Sequence, residues 1–130
     1  MSHIKQCFYI DDDADDRELF CEAVETIAPE IECRTSSTGL EALGYLHENP
    51  DFNPDCIFID MNMPMLNGVE SLEEIRKISR LAHTPIYLFS TMASPSFREK
   101  AAALGAKDFL EKPSSMQQMN QMLTRILLQE

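Results

Sequence analysis

Basic residues are scarce in this chain: 11 lysines and arginines stand against 22 aspartates and glutamates, leaving a net charge of −11. Such a surface repels phosphate backbones and anionic lipid, which argues against a nucleic-acid or membrane-surface role. Long apolar runs are missing too. None approaches the roughly 20 residues that a membrane-spanning helix needs, and the start MSHIKQ leads into a short strand rather than a signal peptide. Cys7, Cys21, Cys33 and Cys56 form no C-x-x-C pair and have no histidine nearby, so they do not suggest zinc. They read as reduced core thiols of a cytosolic protein. His3, His47 and His83 show no metal-ligand spacing and are assigned to the surface or to loops. Neither an internal repeat nor a low-complexity linker interrupts the 130 residues, and that length buries one core. A single domain over 1–130 is expected.

Four short runs rich in β-branched and aromatic residues are present: CFYI (7–10), CIFI (56–59), IYLF (86–89) and the weaker DFL (108–110). IECR (31–34) reads as a fifth, outer strand. Nearly continuous apolar runs of this length suit parallel strands covered on both faces. Segments of helical period lie between them, several with start signals. Asp15 with Glu18, Thr38 with Glu41 and Ser114 with Gln117 have capping-box spacing before helices 1, 2 and 5. Asn67 and Gly68 precede helix 3, and Ser94–Pro95 suits a cap and first-turn proline for helix 4. Met119, Met122, Leu123, Ile126 and Leu127 form one apolar stripe on the last helix, as core packing requires. Strand and helix alternate five times, which predicts an α/β fold: a doubly wound, open parallel sheet with helices on both faces.

In such sheets ligands bind beyond the carboxyl ends of the strands. Those positions hold Asp11 and Asp12 after strand 1, Asp60 after strand 3, Ser90 and Thr91 after strand 4, and Lys112 with Pro113 after strand 5. Asp11 and Asp12 belong to the run DDDADD, five carboxylates in six positions. Like charges a few Å apart repel by roughly 4 kcal/mol at an effective dielectric near 20, so such a run needs a cation or open solvent. A phosphate cradle would use glycines or hydroxyls here instead, which argues against nucleotide or flavin. Hard oxygen ligands suit Mg²⁺, which commonly takes one or two carboxylates. Asp11 and Asp12 are therefore expected to hold the metal, leaving Asp60 as a nucleophile toward a phosphoryl group. The Lys112 ammonium and Ser90 hydroxyl would stabilise the phosphoryl oxygens. Asp13, Asp15 and Asp16 read as turn and first-turn residues that favour the helix dipole.

Taken together, the stretches FYIDDDADDRELF, CIFIDMNMPMLNGVE, PIYLFST and GAKDFLEKPSS resemble, in order and spacing, the receiver domain of bacterial two-component response regulators, the CheY-like fold. The resemblance covers essentially the whole chain. It implies strand order 2-1-3-4-5 with five helices, and an aspartyl phosphate on Asp60 supplied by a histidine kinase or histidine phosphotransfer protein. By the same resemblance Asp12 ligates Mg²⁺ directly, Asp11 acts mainly through metal-bound water, and Asn62 offers its backbone carbonyl. Ser90 matches the switch hydroxyl and Phe109 the aromatic whose burial reports the switch. The resemblance also implies a cis Lys112–Pro113 bond. A downstream protein target would read the surface of helix 4, strand 5 and helix 5.

Some positions depart from the family pattern. Thr91 stands where the family mostly has alanine or glycine, which would narrow donor access to Asp60. Asn67 replaces a frequent aspartate. Met92, with Asn62, flanks the expected path of hydrolytic water and bears on the phosphoryl lifetime.

The chain ends within about a dozen residues of the helix 5 stripe, so a stand-alone, cytoplasmic signalling switch is expected, not a classical enzyme. One alternative is a receiver-like binding module that works without phosphorylation. The other is a small Mg²⁺-dependent phosphohydrolase with an aspartate nucleophile. That type expects a second acid two positions after the nucleophile, where this chain has Asn62, and it needs a cap domain for which there is no room.

Overall fold

The computed structural model describes residues 4–91 and 95–128. Five strands, β1 (Gln6–Ile10), β2 (Glu32–Ser36), β3 (Cys56–Asp60), β4 (Ile86–Ser90) and β5 (Asp108–Glu111), alternate with five helices. These are α1 (Ala14–Ile27), α2 (Gly39–Glu48), α3 (Gly68–Arg76), α4 (Pro95–Ala103) and α5 (Met116–Leu127), with a 3₁₀ turn at Ser79–Leu81. Each expected strand is present, shifted by no more than two residues at either end. All pairings are parallel, and the sheet order is β2-β1-β3-β4-β5.

Side chains of a strand alternate between faces, and this divides the core in two. Phe8 and Ile10 of β1, Ile57 and Ile59 of β3 and Leu88 of β4 meet Ala42 and Leu46 of α2 and Leu72 and Ile75 of α3. Cys7, Tyr9, Phe58 and Phe89 point the other way, onto Phe20 and Val24 of α1 and Met119 and Leu123 of α5. Full burial of a side chain of this size contributes roughly 1.5–3 kcal/mol, and both faces need it, which is why the central runs carry no polar alternation. In α5 the expected stripe is the inward face, with Met119, Met122, Leu123 and Leu127 buried. By contrast α4 buries only Ala101, and its Phe97 remains 43% exposed.

The helix starts differ in detail from the sequence expectation. Asp13, not Asp15, caps α1, its carboxylate accepting from the Asp15 and Asp16 amides. An extended residue is needed at the cap, and Asp13 is extended whereas Asp15 already lies within the helix. Likewise α5 is capped one residue later than expected, by Ser115 accepting from the Gln118 amide. Ser114 instead donates from its amide and hydroxyl to the Gln118 side chain. Thr38 caps α2 as expected, but Glu41 reaches Ser36 and Ser37 rather than the Thr38 amide. Asn67 and Glu70 form a complete reciprocal capping box on α3. Ser94, the expected cap of α4, lies outside the described residues, as do His3 and Met92.

Candidate functional site

The four apolar runs β1, β3, β4 and β5 end on the same rim of the sheet, and each delivers its polar residue there. Asp11 is fully buried, its amide donating to Ser36 O at 3.1 Å so that β1–β2 pairing extends one residue further. Asp60 ends β3 and is 5% exposed; Ser90 ends β4 and is 6% exposed. Lys112 follows β5, and its amide donates to Ser90 O at 2.7 Å. Asp12 is exposed at the mouth of the site. Parallel pairing alone therefore brings together the residues expected from strand ends.

Asp11, Asp12 and Asp60 each offer a carboxylate oxygen, and these oxygens lie within 4.8 Å of one another. An all-oxygen donor set, part buried and part open, fits a hard divalent cation and not a soft one. Asn62 is exposed on the loop after β3 and donates its amide to Asp60 Oδ1 at 3.3 Å.

Burial, followed by the charge of Asp11, pushes the Asp60 carboxyl up to about 6, while Lys112 and the Asn62 amide pull it back. Burial works against the Lys112 ammonium, but hydrogen bonds from it to Asp16 and Asp11 outweigh that and raise its pKa. Its Nζ stands 2.9 Å from Asp11 Oδ2, 2.7 Å from Asp16 Oδ2 and 3.8 Å from Asp60 Oδ2. The ammonium thus bridges the carboxylates that would otherwise repel one another.

Two participants escaped the sequence reading. Asp16, expected only to favour the dipole of α1, does lie in the first turn but also grips Lys112. Tyr9 donates its hydroxyl to Asp11 Oδ2 from inside the core. Burial and then the charge of Asp11 push this phenol far above its ordinary value, so it remains a donor. A trace of the second contact was legible: Tyr9 and Asp11 are two apart on a strand and so share a face. With the Asp13 amide donating to Oδ1 at 2.9 Å, both Asp11 oxygens are held.

Phe109 is 2% exposed and stacks on Phe97 of α4, ring centroids 5.9 Å apart at 9°. The Lys112–Pro113 bond is trans, and no cis peptide occurs among the described residues. This corrects the expectation of a cis bond; trans is the ordinary preference of X-Pro bonds by about 0.5–1 kcal/mol. Thr91 is exposed at the end of β4. His47 and His83 are exposed and take no part.

The profile of the response regulator receiver domain matches residues 7–124. The transcriptional regulatory protein CpxR homolog of Haemophilus influenzae is 36% identical over 104 residues, covering 80% of this chain and 42% of that protein. Among solved structures, the Vibrio cholerae chemotaxis protein CheY4 superposes with a TM-score of 0.81 at 27% identity, covering 95% of this chain and 99% of that one. The phosphorylated cyanobacterial phytochrome response regulator RcpA gives 0.83 at 26% identity, covering 96% and 94%. The chain spans less than half the length of the CpxR homolog it matches. With its five parallel strands in the order 2-1-3-4-5 and its acidic rim, the chain belongs to the response regulator receiver domain family.

Proposed function

We propose that this protein is a stand-alone, cytoplasmic receiver over residues 1–130 that accepts a phosphoryl group on Asp60 from a histidine kinase or histidine phosphotransfer protein, with Mg²⁺ held at Asp11, Asp12, Asp60 and the Asn62 carbonyl. The observation that carries this reading is Lys112: an ammonium set among Asp11, Asp16 and Asp60, beside a three-carboxylate donor set.

In the reaction an Asp60 oxygen forms a bond to phosphorus as the bond from phosphorus to the donor nitrogen or oxygen breaks. The donor leaves with that electron pair. Burial favours the neutral acid, so Asp60 must be ionised to attack, and the Lys112 ammonium favours that ionised form. Bound Mg²⁺ supplies charge neutralisation at the phosphoryl oxygens. Lys112, after β5, and the Ser90 hydroxyl, at the end of β4, would then hold those oxygens from the β4–β5 side of the acceptor strand.

The output follows from weak anchoring. Because α4 buries only Ala101 and leans on β5 through Phe97 and Phe109, a shift of Ser90 toward the phosphoryl group and a change around Phe109 can move α4 at little cost. Phosphorylation biases that arrangement by as much as it binds it better. A groove of about 460 Å³ on the same α4–β5–α5 side, lined in part by Arg98, Glu111, Gln118, Met122 and Arg125, is the surface a downstream protein would read.

Acetyl phosphate with Mg²⁺, followed by intact-mass measurement, tests the reading. A metal-dependent phosphoryl adduct is expected on the parent and not on Asp60→Asn. Failure of the parent and of Thr91→Ala to form an adduct would leave a phosphorylation-independent binding module.

A further inference from the structure

All four cysteines, irregularly spaced in sequence, gather on one flank of the sheet. Cys33, Cys7 and Cys56 are register partners across β2, β1 and β3, so they stand in a row on the face that α1 covers. Cys21 of α1 completes the cluster, its Sγ 3.4 Å from the Sγ of Cys33. The members are not equivalent. Cys7 and Cys56 are buried, whereas Cys21 and Cys33 are partly exposed free thiols. That pair also lines a surface pocket of about 290 Å³ with Val24, Glu25, Pro29 and Ile31.

We propose that Cys21 and Cys33 are a reversible dithiol–disulfide modification site, closed by small-molecule disulfides such as oxidised glutathione. A protein disulfide has sulfurs about 2.05 Å apart, so the two need only a short approach between a helix and the edge strand. In the first step the Cys21 thiolate bonds to one sulfur of the small disulfide, whose S–S bond breaks and releases a thiolate. In the second, the Cys33 thiolate attacks the Cys21 sulfur and releases the other. In sum two protein thiols are oxidised, the small disulfide is reduced to two thiols, and the protons pass to the leaving thiolates. The mutual hydrogen bond and burial raise the Cys21 thiol, so little of it is thiolate and exchange is slow. Closure ties α1, the helix that carries Asp16, to edge strand β2.

The native full chain would be equilibrated in mixtures of reduced and oxidised glutathione, quenched with acid, alkylated and digested with trypsin. Cys21 and Cys33 fall in the one tryptic segment 18–34, whereas Cys7 falls in 6–17. The expected product is segment 18–34 lighter by two hydrogens and closed to alkylation, with Cys7 and Cys56 still alkylated, and dithiothreitol restoring four thiols. Cys21→Ser and Cys33→Ser should each stop closure and retain a glutathione on the remaining partner. Three results would overturn the assignment: segments 6–17 and 18–34 linked through Cys7 and Cys33, four alkylatable thiols at every glutathione ratio, or closure only after denaturation in urea.

Discussion

Lys112 lies closer to Asp16, at 2.7 Å, than to Asp60, at 3.8 Å. The helix α1 carboxylate draws the ammonium sideways, away from the acceptor it would have to serve. Removing that charge should release Lys112 toward Asp60. The ion pair is only partly enclosed, with side-chain exposures of 14% and 30%, so its contribution is about 1 kcal/mol. Asp16→Asn is therefore expected to speed metal-dependent adduct formation from acetyl phosphate about fivefold. An unchanged rate constant would show that the Lys112 position does not depend on Asp16.

Tyr9 tests the second of these contacts, its hydroxyl on Asp11. In Tyr9→Phe the ring keeps its stack on Phe20, whose centroid is 4.2 Å away at 17°, while Asp11 loses a donor inside the core. A hydrogen bond to a charged group contributes about 1.5–3 kcal/mol. Urea unfolding of the metal-free variant should fall short of the parent by that amount with an unchanged m-value. Equal midpoints would mean that Lys112 and the Asp13 amide satisfy Asp11 unaided.

Asp60 makes stability depend on pH in a stated direction. Its folded value, about 6, lies above the ordinary 3.8. The protonated acid is thus favoured by folding: this contribution is fully present below about 3.8 and is lost as pH rises through about 6. At pH 7 the ionised group costs up to about 3 kcal/mol. In metal-free buffer Asp60→Asn should be more stable than the parent at pH 7, and the gap should close by pH 4. A gap independent of pH between 4 and 7 would contradict this assignment.

Gly68 holds the loop of the acceptor against the start of α3. A Cβ there would come within 2.7 Å of Met61 Cα and 2.8 Å of Asp60 O, both backbone atoms. Neither can swing aside as a flexible side chain would. Gly68→Ala is expected to cost at least about 2 kcal/mol and to weaken Mg²⁺ binding in isothermal titration, because the loop bearing Asp60 must shift. A variant with parental stability and affinity would show that the loop has slack.

Strand and helix identities, their alternation and the residues of the acidic rim were all legible in the chain because each depends on local properties. Apolar runs such as CIFI commit to buried strands, and parallel packing then places every following residue on one edge. Caps were legible only to within a residue or two, since DDDADD offers several carboxylates and the backbone at Asp13 decides among them. Met65 takes a left-handed backbone, φ 64°, in the loop after Asp60. No pattern at that residue type announces it, because methionine has little preference for that region.

What the sequence determined by itself was the frame: a β/α alternation, a two-faced core and the carboxylates, hydroxyl and lysine at the strand ends. Only the tertiary structure decided which groups touch. The grip of Asp16 on Lys112, the trans Lys112–Pro113 bond and the Cys21–Cys33 pair each depend on how elements distant in sequence, or the chain around a single bond, settle in three dimensions. Periodicity sets the side of an element on which a residue falls; packing of α1 over β1 and β2 sets the distance to its partner.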